Sequence, residues 1–166
     1  MNLSDNGIKI LKQLEGCVKI GDKHVIYDDK TGKPVNINEP LPRGATIGYG
    51  HLIKQGEDFR NGISEAKATE LLCADIDVAE CAVKNSITVS INQNQYDALV
   101  ILGYNIGATN FANSTVVKYV NNPDFHNNRY PTLESAWMAW NQCRGVISNG
   151  LKQRRRREWQ LFTSKI

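Results

Sequence analysis

Near the start of the chain, apolar residues recur at helical spacing. Ile8, Leu11 and Leu14, with Ile10 beside them, form a stripe that predicts a helix over residues 4–15. Ser4 or Asp5 can cap it and Gly16 stops it. Between residues 17 and 50 the helical period disappears. β-Branched residues alternate with GDK (21–23), DDKTGKP (28–34) and NEPLPRG (38–44), turn signals that predict a small, irregular antiparallel sheet. From residue 64 the pattern reads as helical to the end. Ser64 caps a run to about Asn85 that places Ala68, Leu72, Ala79, Ala82 and Val83 on one face, a rod of roughly 33 Å. The stretch YDALVILGYNI within 93–106 is apolar nearly all round, as expected of a central buried helix. Further helices are expected over 113–121, over 132–142 starting at Thr132, and over 151–163 after Gly150. Helix, small sheet, then helical body is an α+β order, with no internal repeat.

Composition narrows this picture without redirecting it. A chain of 166 residues, 41% hydrophobic and 22% charged, fits one domain (1–166) with a real core. No run of about eighteen apolar residues occurs, so stable membrane insertion is not expected. The opening MNLSDNGIKILKQLEG lacks the basic and then apolar segments of a signal peptide. The net charge of +3 is concentrated in KQRRRR, residues 152–157. Neighbouring helical positions point about 100° apart, so Arg154–Arg157 cannot share one face. Some must pair with carboxylates or cover the helical body. Glu158, Trp159, Leu161 and Phe162 follow directly, which describes a docked helix rather than a base-reading one and argues against a nucleic-acid partner. Cys17, Cys73, Cys81 and Cys143 have neither CxxC nor zinc-finger spacing, so no metal is expected and the thiols are read as free and buried.

Three positions stand out chemically. Glu15 lies four residues from Leu11 and seven from Ile8, at the edge of the apolar stripe. A carboxyl at such an edge is partly desolvated, which favours the neutral form that a general acid needs. Asp28 and Asp29 follow Tyr27 in a turn-rich stretch, and either can present a second carboxylate. Thr46 opens TIGYGH (46–51), where Gly48 and Gly50 interrupt a strand as though something must come close to its main chain. An acid, a carboxylate and a hydroxyl in this order can together cleave a glycosidic bond.

LEG (14–16), YDD (27–29), TIGYGH (46–51), QYDALVILGYNIG (95–107), FANST (111–115) and GLKQRRRREW (150–159) occur in an order that resembles the lysozymes of tailed bacteriophages over nearly the whole chain. The resemblance implies a lysozyme-like α+β fold. Its small N-terminal antiparallel sheet lobe spans about 17–60, and its larger helical lobe spans about 64–166 plus helix 4–15, with a long helix joining them and a cleft between. It matches Glu15 to the family's acid, Asp29 to its second carboxylate through the Tyr-x-Asp spacing, and Thr46 to its threonine. It adds Gly50, Leu52, Tyr104, Asn105, Gly107, Ser114 and Thr115 as substrate contacts, and assigns His51 a structural role through Asp75 or Asp77.

The activity implied is hydrolysis of peptidoglycan glycan strands at the β-1,4 bond after N-acetylmuramic acid, with inversion and without a cofactor. A lytic transglycosylase is the near alternative, and Asp29 with Thr46 argues for water as the acceptor. The implied setting is a monomer made in the cytoplasm and acting on the wall in the periplasm. It would serve as a phage endolysin or as a secreted antibacterial effector, in the latter case with a cognate immunity protein. The segment VNINEPLPRGA (35–45) lengthens the gap between Asp29 and Thr46 beyond that of shorter family members.

Overall fold

The computed structural model describes residues 1–165 and resolves into two compact units, one formed by residues 10–75 and the other by residues 1–9 together with those from Ile76 onward. Helix α1, Asp5–Glu15, begins where the Ser4 hydroxyl accepts the Gly7 amide at 3.1 Å. It ends at Gly16, whose amide reaches the Lys12 carbonyl at 3.0 Å with φ at +66°.

The sheet unit is made of very short strands. β1 (Lys19–Ile20) pairs with β2 (Lys23–His24). A second, antiparallel sheet contains β3 (Tyr27–Asp28), β4 (Lys33–Pro34), β5 (Ala45–Ile47) and β6 (His51–Leu52), in the order β4-β3-β5-β6. Tyr27 lies opposite both Pro34 and Thr46, and Thr46 lies opposite Leu52, so these four side chains share one face. Ile26, Ile47, Tyr49 and Ile63 form the buried side.

The close approach expected at Gly48 is made by the protein itself. The φ of Gly48 is +63°, and a Cβ there would lie 3.2 Å from the Cβ of buried Ala68. The glycine makes room for the following helix, α2, Glu65–Ser86, which Ser64 caps by accepting the Lys67 amide. His51 is buried as expected, with Nδ1 2.7 Å from Asp75 and Nε2 3.0 Å from Glu57. Asp75 lies on α2, so His51 ties the sheet to that helix.

In the helical unit α3, Gln93–Ile106, is the buried centre, with every residue from Tyr96 to Gly103 inside. Asn92 and Gln95 close a capping box at its start. α4 (Ala108–Ala112), α5 (Thr115–Asn121), α6 (Leu133–Met138) and α7 (Asn149–Thr163) complete the unit, and α7 packs on α3. Trp137, Trp159 and Phe162 meet ring to ring at 5.1–5.8 Å.

Three expectations are corrected here. The helix expected over 113–121 starts at Thr115, after a separate turn of helix, and the one expected over 132–142 stops at Met138. A hairpin that the pattern did not announce, β7 (Gln142–Cys143) with β8 (Val146–Ile147), fills most of the gap between the last two helices. Arg144 and Gly145 form its two-residue turn, with φ at +51° and +78°, the conformation that matches strand twist. The four cysteines are free as expected, but all are exposed rather than buried.

Candidate active site

Glu15 closes α1 half-buried, with its Oε1 atom shielded from solvent. The helix stop at Gly16 then turns the chain into the sheet, so the carboxyl stands at the junction of the two elements. Asp28 and Asp29 separate clearly. Asp28 Oδ1 accepts the Lys30 amide at 2.8 Å, and its carbonyl accepts the amides of Thr31 and Gly32. That side chain is committed to the turn. Asp29 is exposed, and its amide donates to the Gly44 carbonyl.

The same carbonyl accepts the Thr46 hydroxyl at 2.9 Å. Gly44 therefore joins the Asp29 backbone to the Thr46 side chain, which is only 3% exposed. The long segment 35–45 ends at this shared acceptor.

Tyr27 is buried on β3 and feels the charge of both candidate carboxyls. Its phenol is pushed up to about 12, first by burial and then by the negative charges of Asp29 and Glu15, with Cys17 behind them; a hydrogen bond with the Gly50 backbone pulls the other way. Both candidate carboxyls thus act on one hydroxyl, and Asp28 is not among its perturbers. Strand alternation could have signalled this, because Tyr27 and Asp29 are two residues apart and Thr46 sits across the ladder from Tyr27.

Of the predicted sugar contacts in the sheet unit, Gly50 is half-buried with φ at +91°, and Leu52 is 58% exposed. In the helical unit, half-buried Tyr104 and exposed Asn105 end α3, and the Asn105 amide oxygen accepts a hydrogen bond from Arg155. Asn105 also borders a cavity of about 470 Å³ with Asn110, Trp140 and Gln142, none of which the sequence had singled out. Gly107 is the turn between α3 and α4. Ser114 is buried and caps α5 by accepting the Val117 amide at 3.2 Å, with half-buried Thr115 beside it. Among the described residues, no three His, Cys, Asp or Glu side chains converge as a metal would require.

Comparison with known proteins gives this arrangement a family. The phage lysozyme family model matches residues 12–158. The chain belongs to the phage lysozyme family. It is 36% identical to an endolysin of Salmonella phage P22 over 99% of both chains. It is 33% identical to an endolysin of Bacillus phage B103, with 98% of this chain aligned to 54% of that one. Among solved structures, an endolysin from Escherichia coli O157:H7 phage FAHEc1 superposes with a TM-score of 0.74 at 32% identity, covering 100% of this chain and 96% of the other. The muramidase domain of SpmX from Asticaccaulis excentricus gives 0.74 at 28% identity over 99% of each. The enzyme is accordingly a lysozyme-type hydrolase of peptidoglycan with a lysozyme-like α+β fold.

Proposed function

We propose that the enzyme cleaves the β-1,4 bond between N-acetylmuramic acid and N-acetylglucosamine, with Glu15 as the acid that protonates the leaving oxygen. Asp29 and Thr46 hold the attacking water and stabilise the positive charge that develops on the sugar ring. Water delivered to the face opposite the leaving group inverts the anomeric carbon, a geometry that calls for carboxyls about 6.5–9.5 Å apart. The observation that supports the assignment is the join of Asp29 to Thr46 through the Gly44 carbonyl, with Glu15 at the helix end and the charges of both carboxyls felt by the Tyr27 phenol. Gly50 and Leu52 contribute sugar contacts from the sheet unit, and Tyr104, Asn105, Gly107 and Thr115 from the helical unit. Ser114 supports this loop as a cap. On this reading residues 1–166 act as one catalytic domain. A monomer, made in the cytoplasm, acts on the wall from the periplasm in the manner of an endolysin.

Digested sacculi test the chemistry. Reducing muramic ends that first appear as the inverted anomer are expected by NMR and mass spectrometry, whereas anhydro-muramic ends would indicate a transglycosylase. Asp29→Asn is expected to lose activity and Asp28→Asn to lose chiefly stability, since Asp28 serves the turn; the reverse outcome would move the second carboxylate by one residue.

A further inference from the structure

The proposed mechanism leaves the buried carboxylate of Asp97 without a task. Asp97 lies in α3, fully enclosed, and a charge so placed persists only where donors replace its water. Those donors come from the start of the chain and from its own helix. Oδ1 accepts the Ser4 amide at 3.1 Å and the Gln93 side-chain amide at 2.7 Å, and Oδ2 accepts the Ser4 hydroxyl. Glu80, buried on α2, accepts the neighbouring Leu3 amide. Gln93 also donates to the Asn2 carbonyl at 2.9 Å, and Lys84 donates to the Asn2 side chain at 3.1 Å. The residues that lead into α1 are thus held, backbone and side chain, by α2 and α3.

The grip extends into α1 itself. The Ser4 hydroxyl donates to Asp97 and accepts the Gly7 amide at 3.1 Å, so one side chain both caps the helix and docks it. Gly7 is buried, and a Cβ there would lie 2.9 Å from the Asp97 carboxyl carbon and 2.7 Å from Leu3 Cδ1. The first turn therefore sits closer to the carboxylate than a side chain at position 7 would allow. From that turn α1 runs unbroken from Asp5 to Glu15, about 15 Å at the helical rise. Hydrogen bonds join each turn to the next, so a shift or rotation of the first turn is carried to the last.

We infer that Asp97 is a positioning residue for the proposed acid: by fixing the axial register and rotation of α1 at its first turn, it directs the Glu15 carboxyl toward the glycosidic oxygen that it protonates. A proton donor works only within hydrogen-bond reach of its target, and a misplacement of about 1 Å caused far from the chemistry can cost about 100-fold in rate. The inference rests on the reading of Glu15 as the acid. It adds that turnover, rather than affinity, depends on a buried cluster at the opposite end of the helix.

Gly7→Ala is the sharpest test, because it keeps every partner and raises helix propensity while its methyl pushes the first turn off Asp97. On soluble glycan strands, assayed well below each variant's melting temperature, kcat should fall about tenfold with KM within about twofold of wild type. The amide resonances from Gln13 to Gly16 should shift with it. Ser4→Ala should lower kcat in the same way, and Ser4→Thr, which retains the hydroxyl, should restore it. Asp97→Asn keeps an acceptor for the Ser4 amide and should lose less than Asp97→Ala; if neither Asp97 variant folds, Gly7→Ala and Ser4→Ala decide. Trp137→Phe, a change in the aromatic cluster of the helical core, should lower the melting temperature and leave kcat as in wild type. Wild-type kcat in folded Gly7→Ala and Ser4→Ala proteins would make the cluster an anchor for stability alone and overturn the inference, while an inactive Glu15→Gln would still uphold the acid. A raised KM with kcat intact, or an equal loss of kcat in Trp137→Phe, would overturn it too. Full activity of a folded Glu15→Gln protein would remove the acid reading itself, and the inference with it.

Discussion

Two carboxylates each collect several donors, one in each unit, under opposite solvent conditions. Glu65 opens α2 with its side chain 46% exposed, and takes Lys12 at 3.0 Å, Lys19 at 3.2 Å, His24 at 2.7 Å and the Tyr49 hydroxyl at 2.7 Å. Glu158 lies in α7 with no exposure, and takes Arg154 at 3.1 Å, Arg155 at 3.2 Å and the Trp137 indole at 3.1 Å. At Glu65 burial works against the charge, but hydrogen bonds from His24, Tyr49, Lys12 and Lys19 outweigh it and hold the carboxyl far below the usual range. At Glu158 burial pushes the carboxyl up against the pull of Arg155, Arg154 and Trp137. The sheet unit thus keeps its ionic hub wet and adjustable, while the helical unit seals its hub into the core. Desolvation, not the number of partners, separates the two.

That contrast is open to direct attack. Near neutral pH, Glu158→Gln removes the buried charge that Arg154 and Arg155 both pair with and should cost about 3–4 kcal/mol in urea unfolding; a loss as small as that of a surface pair would erase the contrast. Gly48→Ala should cost about 2 kcal/mol, because it forces a side chain into a left-handed backbone against Ala68, and thermal melts would register it. If the variant is as stable as wild type, the close packing of sheet on α2 is wrong.

Glu65→Gln should cost only about 1 kcal/mol at pH 7, since solvent screens a half-exposed hub. Its pH dependence sharpens the test. The folded pKa lies below the unfolded value, so the stabilisation is complete above about pH 4.3 and is lost as pH falls toward the folded value. The gap between wild type and Glu65→Gln should therefore narrow between pH 5 and pH 3, and a gap that widened on acidification would reverse the sign. Arg156→Gln should leave the unfolding midpoint where it is, because Arg156 is exposed beside the buried Arg154 and Arg155.

The arginine run also shows what could be read in advance. Helical geometry alone required some of Arg154–Arg157 to turn inward, and two of them do, onto Glu158. Capped helices were legible because Ser64 and Thr132 combine a side-chain acceptor with a following periodic run. The hairpin at 142–147 was not, because its strands are two residues long, too short to show alternation, and Val146 and Ile147 fit a helical stripe equally well. Thiol burial failed because Cys73 and Cys81 fall on the solvent side of α2, a matter of rotation about its axis that composition does not encode. Within the site, Glu15, Asp29 and Thr46 could be placed in order from motifs, but the placing of Tyr27 opposite Thr46 and the shared Gly44 carbonyl depend on strand register.

The central claim concerns the proton given to the leaving sugar. Glu15→Gln preserves shape and hydrogen-bonding capacity but cannot act as that acid. With the variant's thermal midpoint confirmed within a few degrees of wild type, release of reducing muramic ends from sacculi should fall by at least about 100-fold. A folded Glu15→Gln protein that releases them at the wild-type rate would contradict the account.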